Sequence, residues 1–170
     1  MNPRELIRDI PDFPKPGIIF KDIAPLLGNA KALRQVVDEL AEKFSGCGAT
    51  KILAAEARGF IFGTALAYRM GVGFVPVRKP GKLPYKTIDV TYDLEYGTDT
   101  LCMHKDALTK NDKALVIDDL LATGGTVGGM LKLIAKTGAE VVGIGFVVEL
   151  DFLHGRDKLT GHRVESLIHF

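Results

Sequence analysis

The sequence predicts an α/β protein: a parallel twisted sheet with helices on both faces. Short runs that are almost wholly apolar recur at 51–55, 74–77, 114–117 and 141–148. Stretches with helical spacing of apolar residues lie among them. Two of those stretches stop at a glycine, Gly71 and Gly138. Strands without polar alternation are buried on both sides, as in parallel sheets covered by crossover helices. Such sheets bind ligands at the carboxyl ends of their strands. The loops after Ala55, Val77 and Ile117 are therefore the first places to look.

Asn2-Pro3 before Glu5, Leu6 and Ile7 reads as a short capped helix. Pro11, Pro14, Pro16 and Gly17 then force an irregular arm. The arm carries Phe13, Ile18, Ile19 and Phe20, an apolar set that must pack under the body or line a pocket. Asn29 can cap a helix reaching about Phe44, with Leu33, Val36, Val37, Leu40, Ala41 and Phe44 on one face. A strand at 51–55 precedes a helix at 60–70. After the strand at 74–77, two alternating runs, Ile88, Val90, Tyr92 and Leu101, Met103, flank Glu95-Tyr96-Gly97 as a hairpin. The strand at 114–117 leads to a helix at 126–137, and the strand at 141–148 follows.

The 170 residues suit one domain spanning 1–170, without repeats or linkers. Apolar residues make up 46% and charged residues 25%, as in an ordinary globular protein. The net charge of +1 lacks the basic excess of a nucleic-acid binder. Cys47 and Cys102 are far apart, so reduced thiols are expected rather than zinc ligands or a disulfide. The N-terminus lacks the apolar core of a signal peptide, and 141–148 is too short to span a bilayer. A cytoplasmic protein without membrane or nucleic-acid partners is expected.

The most informative segment is ALVIDDLLATGGT, residues 114–126. An apolar strand ends in Asp118 and Asp119. Ala122 and then Thr123-Gly124-Gly125-Thr126 lead into a helix. Glycines let the backbone curl so that several N–H groups point to one spot, and the helix start adds positive dipole there. The result is a phosphate cradle. The two carboxylates are acceptors, suited to ribose hydroxyls or to waters on a magnesium ion. A tight turn with Thr126 as N-cap would explain the glycines, but not the paired acids. There is no G-x-x-x-x-G-K-[ST], and Gly71-Val72-Gly73 lacks the third glycine of a dinucleotide fingerprint.

This segment resembles the phosphoribosyl pyrophosphate (PRPP) motif of the type I phosphoribosyltransferases. Its wording is most similar to the members that take adenine. IPDFPKPGIIFKDIAPLL (10–27), EARGFIFG (56–63), RKPGKLP (78–84), LEYG with HKDAL (94–108) and GRDKL (155–159) agree. The resemblance spans nearly the whole chain. It implies the type I phosphoribosyltransferase fold with an N-terminal hood arm at 1–28. It also implies a basic loop and flexible hairpin flap at 79–108.

The resemblance implies transfer of phosphoribosyl from PRPP to adenine, with Mg2+ held mainly by PRPP and water. Glu56, Ala57 and Arg58 would hold pyrophosphate, partly through backbone N–H groups in an unusual peptide conformation. Arg58 opens a helix, where a cation is disfavoured, and a bound anion would remove that conflict. Ala54 stands where the family commonly has glycine. Arg78, Lys79 and Lys82 form a short basic loop suited to pyrophosphate. In relatives one such residue can reach a partner subunit, which implies a homodimer. Ile19, Phe20 and Lys21 match the base hood. Phe20 would stack on adenine with Leu120 beneath. The Ile19 carbonyl and Lys21 N–H would read its amine and ring nitrogen, a pair that rejects a 6-oxopurine. Glu95 and Tyr96 would close over the site on the flap, with Glu95 managing a proton at the purine. His104, His154, His162 and His169 show no metal-ligand spacing. Two alternatives remain at this stage: a phosphoribosyltransferase for another nucleobase, and a PRPP-sensing regulator.

Overall fold

The computed structural model describes residues 1–94 and 97–170. Asn2 caps the 3-10 turn Pro3–Leu6 by accepting the Arg4 N–H at 3.1 Å. Strand β1 (Arg8–Pro11) then pairs antiparallel with β2 (Ile19–Asp22), placing Ile10 opposite Phe20. The arm is thus a two-stranded ribbon rather than the irregular stretch its prolines suggest. Pro14 and Pro16 fall in the bend, and Pro11 ends a strand, where its missing N–H is tolerated.

A single turn, α1 (Ala24–Leu27), leads to α2 (Ala30–Lys43). Asn29 caps α2, accepting the N–H groups of Lys31 and Ala32, both at 3.1 Å. Then come β3 (Lys51–Ala55), α3 (Arg58–Met70) and β4 (Gly73–Val77). A second ribbon, β5 (Thr87–Asp93) and β6 (Thr98–His104), precedes β7 (Lys113–Leu121). The chain continues through α4 (Gly125–Ala135), β8 (Glu140–Glu149), 3-10 turns Asp151–Leu153 and Gly155–Leu159, and β9 (Val164–His169).

The main sheet has the order β4-β3-β7-β8-β9, and every pair is parallel. One apolar core joins Val36 and Leu40 of α2, Phe44 just after it, and Phe62 and Leu66 of α3 to Ile52, Leu115 and Ile117. The other joins Val127, Met130 and Ile134 of α4 and Val90 and Leu101 of the second ribbon to Leu53, Ala114 and Val116. Each fully buried aliphatic side chain stabilises the fold by about 1.5–3 kcal/mol relative to exposure.

Odd-numbered Leu115 and Ile117 face the first core and even-numbered Ala114 and Val116 the second. Further along β7 the assignment reverses: Leu120 packs with the first core and Leu121 with the second. The alternation slips by one at Asp118 and Asp119, where the acids leave the regular core.

Several boundaries differ from the sequence expectation, three of them at the site. β7 continues through the acids to Leu121, because Asp118, Leu120 and Leu121 pair with Phe146, Val148 and Glu149. α3 begins at Arg58 rather than Phe60. α4 begins at Gly125 with Gly124, not Thr126, as N-cap. β1, α1 and β9 carry too little periodicity to be read in the sequence.

Candidate active site

The acid pair sits at the exit of β7. Asp119 is 6% exposed, and its Oδ2 lies 2.7 Å from Arg58 Nε. The approach is off the hydrogen-bond direction, so this buried oxygen accepts no hydrogen bond from the described residues. Asp118 is half-buried as a residue, but its carboxyl points inward and accepts the Asp119 N–H at 2.9 Å. Burial and then the neighbouring Asp119 charge raise its pKa well above the usual carboxylate range, against the pull of Arg58. A group so placed favours any partner that donates hydrogen bonds or brings positive charge.

Beyond the acids, Ala122, Thr123, Gly124, Gly125 and Thr126 curl around one cleft that Asp118, Leu120 and Leu94 also line. Gly124 has φ +85°, a conformation that favours glycine. It supplies no side-chain cap to α4, and the first turn of α4 contains no acid. First-turn N–H groups have no acceptor within their own helix, so this end presents donors and positive dipole to the cleft. That is the chemistry of an anion cradle.

The basic residues converge from the end of β4. Glu56 accepts from Arg78 Nε at 3.3 Å, Lys79 N at 2.7 Å and Lys82 Nζ at 2.5 Å. Burial alone would raise the pKa of Glu56; the Lys82 ammonium, the Lys79 N–H and Arg78 outweigh it and hold it below the usual range. Lys79 pairs with Asp99 of β6, whose pKa is lowered chiefly by that ammonium, against burial. Arg78 and Cys102 exchange backbone hydrogen bonds at 2.9 and 2.8 Å, tying this loop to the second ribbon. Tyr92 of β5 packs against Gly125 and Gly129 of α4 and donates its hydroxyl to Asp99 at 3.3 Å. The ribbon therefore spans from the basic loop to the cradle.

The Glu56–Ala57 peptide is cis. Ala54 causes no displacement: its methyl fits between Gly59 and Gly63 of α3, which have no Cβ to meet it. Arg58 opens α3 with no side-chain cap, and the protein itself supplies the compensating anion, Asp119. Its guanidinium also lies 4.9 Å from the Phe20 ring centroid, joining the arm to the acid pair. Phe20 is half-buried, in edge contact with Phe13 at 5.1 Å, and Ile19 is 56% exposed. Lys21 turns its ammonium away, 2.6 Å from Asp9 and 4.0 Å from the Phe170 ring.

Glu95 and Tyr96 lie outside the described residues. The other expected site residues form three groups: acids with cradle, Glu56 with the basic loop, and Phe20 with Arg58. Asp99 and Tyr92 were not anticipated, since no local pattern announces a carboxylate 20 residues from its lysine. Glu149, Asp151 and His169 also approach one another. Both oxygens of Glu149 are taken up by Arg156 and Ser166, at 2.6–3.0 Å. That cluster reads as structural.

Comparison with known proteins bears on this arrangement. Residues 26–166 match the model of the phosphoribosyl transferase domain. The chain is 64% identical over 168 residues to the adenine phosphoribosyltransferase of Solidesulfovibrio magneticus, covering 99% of this chain and 98% of that one. It is similar to the crystal structure of the adenine phosphoribosyltransferase of Thermoanaerobacter pseudethanolicus, with TM-score 0.95, 54% identity and 98% and 96% of the chains covered. The Saccharomyces cerevisiae enzyme, in complex with an imino-altritol bisphosphate and adenine, superposes with TM-score 0.89 at 38% identity, over 97% of each chain.

Proposed function

The chain belongs to the phosphoribosyl transferase domain family, and from that premise we propose how its residues divide the work of the reaction. It transfers the 5-phosphoribosyl group of PRPP to adenine, giving AMP and pyrophosphate, a purine-salvage step. The observation that carries the assignment of roles is the cleft that Asp118 shares with the uncapped start of α4, with Asp119 buried next to it in the chain.

The cradle, residues 122–126, anchors the 5-phosphate through backbone N–H groups. Asp118 and Asp119 accept from the ribose hydroxyls. They also stabilise the positive charge that develops at C1 as the bond to pyrophosphate breaks, an oxocarbenium-like state. The bonding pair leaves with pyrophosphate, which Arg78, Lys79, Lys82 and the backbone at Glu56, Ala57 and Arg58 receive. N9 of adenine forms the new bond to C1. Phe20 and Leu120 hold the base between them, while Ile19 C=O and Lys21 N–H read its edge. The sequestered Lys21 side chain supports that backbone role. Glu95 accepts the proton that the imidazole edge releases, and Tyr96 closes the flap beside it. No covalent nucleophile is needed; positioning and charge placement carry the rate.

The acid pair fits a magnesium-bearing substrate. The unpartnered Asp119 Oδ2 and the neighbouring Asp118 can accept from waters of an ion that PRPP itself holds. That ion would neutralise charge on the departing pyrophosphate. A homodimer is part of the same reading. Tyr68, 91% exposed, and Ile61 on α3 offer apolar surface beside a groove formed with α2, suited to a second copy. Two unpaired cysteines support a cytoplasmic setting.

The direct test mixes the protein with PRPP, magnesium and one base at a time. AMP and pyrophosphate should form with adenine, and guanine or xanthine should yield no comparable nucleotide. Equal turnover with a 6-oxopurine would remove the hood from the reading.

A further inference from the structure

The 3-10 turn Gly155–Leu159 lies directly under the cradle, and the contact is backbone on backbone. Gly155 is buried; a Cβ on it would overlap the Ala122 carbonyl oxygen and sit 3.0 Å from Leu121 Cδ1. From the other side, a Cβ on Gly124 would lie 2.9 Å from the Gly155 carbonyl oxygen. The positive φ of Gly124 is therefore matched to a neighbour that leaves no room for a side chain on either partner.

What fixes Gly155 is the residue after it. Arg156 forks onto Glu149, with Nε to Oε1 at 3.0 Å and Nη2 to Oε2 at 2.6 Å, and Nη1 donates to the Val164 carbonyl at 2.9 Å. Ser166 donates to Glu149 Oε2 at 2.6 Å. Glu149 is 5% exposed and ends β8 beside Leu121, the last residue of β7. The Leu150 N–H to Leu121 carbonyl bond, 3.0 Å, is one further tie there. A half-exposed arginine forking onto one buried carboxylate thus ties the ends of β8 and β9, and through Glu149 that of β7, to the turn beneath the cradle.

We propose that Gly155 and Arg156 are positioning residues for the phosphate cradle: the Arg156–Glu149 fork holds the Gly155 backbone against Ala122 and Gly124, and so sets the direction of the cradle N–H groups. The proposal rests on the assignment of residues 122–126 to the 5-phosphate. GRDKL carries this role through geometry rather than through contact with substrate.

The test compares Gly155→Ala, Arg156→Lys and Gly124→Ala with Val36→Ala, a cavity variant in α2 remote from the site. Affinity for ribose 5-phosphate, KM for PRPP and for adenine, and melting temperature are measured for each. Gly155→Ala should weaken ribose 5-phosphate binding and raise KM for PRPP roughly 10-fold or more, while KM for adenine stays within about 2-fold. Arg156→Lys keeps the charge but loses the fork, and should shift the same two quantities by about 3- to 5-fold. It carries the test should Gly155→Ala not fold. Val36→Ala should lower the melting temperature without changing the ratio of the two KM values. Unchanged ribose 5-phosphate affinity in Gly155→Ala or Arg156→Lys, with loss in Gly124→Ala, would overturn the proposal alone. Unchanged affinity in Gly124→Ala would overturn the cradle assignment, and the proposal with it.

Discussion

The exit of β7 and the loop after β4 are both crowded with charge, yet they are balanced in opposite ways. At β7 two carboxylates face one cation, Arg58, and one buried oxygen accepts no hydrogen bond from the described residues. After β4 three cations face Glu56 and Asp99, and each has a carboxylate partner. The pKa directions follow: Asp118 is pushed up by burial and Asp119, while Glu56 and Asp99 are held down by their ammonium partners. On the proposed reading, the first region is short of hydrogen-bond donors and would gain them when sugar hydroxyls arrive. On the same reading, the second would exchange carboxylates for phosphates. Binding energy at the first can be realised in the transition state; at the second it is largely a swap of equals.

Asp119→Asn should therefore have the largest effect. On the proposed division of roles it removes charge beside the carbon where positive charge would develop, and should lower kcat by roughly 10²- to 10³-fold with the fold intact. Near-normal steady-state turnover would erase the distinction between the regions. Glu95→Gln should come next, lowering kcat about 10²-fold with a smaller change in KM for adenine. An unchanged kcat would take Glu95 out of the chemistry.

Glu56→Gln keeps an acceptor for the Lys79 N–H but drops the competing charge. Pyrophosphate, assayed as an inhibitor, should then bind a few-fold tighter, about 3- to 10-fold. Weaker binding would mean that Glu56 arranges the loop rather than occupying it.

The smallest effect concerns stability. A carboxyl whose folded pKa is raised costs stability at neutral pH. The cost fades as pH falls through that raised value, because the folded form takes up its proton first. Asp118→Asn should raise the neutral melting temperature by about 2–4 °C per kcal/mol relieved, with the gain shrinking on acidification. A lower melting temperature at neutral pH would contradict the cost. Glu149 has the opposite sign: its lowered value, set mainly by Arg156, stabilises above the unfolded pKa and is lost as pH falls through the folded one.

These contrasts also mark what the sequence makes legible. The apolar runs at 51–55 and 114–117 predict central strands, and Asn29 predicts the start of α2. Asp118 to Thr126 reads as a sugar-phosphate loop because its chemistry is contiguous. The counter-ions are another matter. Lys79–Asp99, Arg58–Asp119 and Arg156–Glu149 join residues from separate elements, and no local period encodes them. β9 is legible only as a partner of β8, and the arm's ribbon only once Ile10 meets Phe20.

The most direct measurement is a crystal structure with ribose 5-phosphate bound. Its phosphate should rest on the N–H groups of Gly124, Gly125 and Thr126, with the ribose hydroxyls on Asp118 and Asp119. A phosphate seated instead on Arg78, Lys79 and Lys82, with the acid pair untouched, would contradict the division between the two regions.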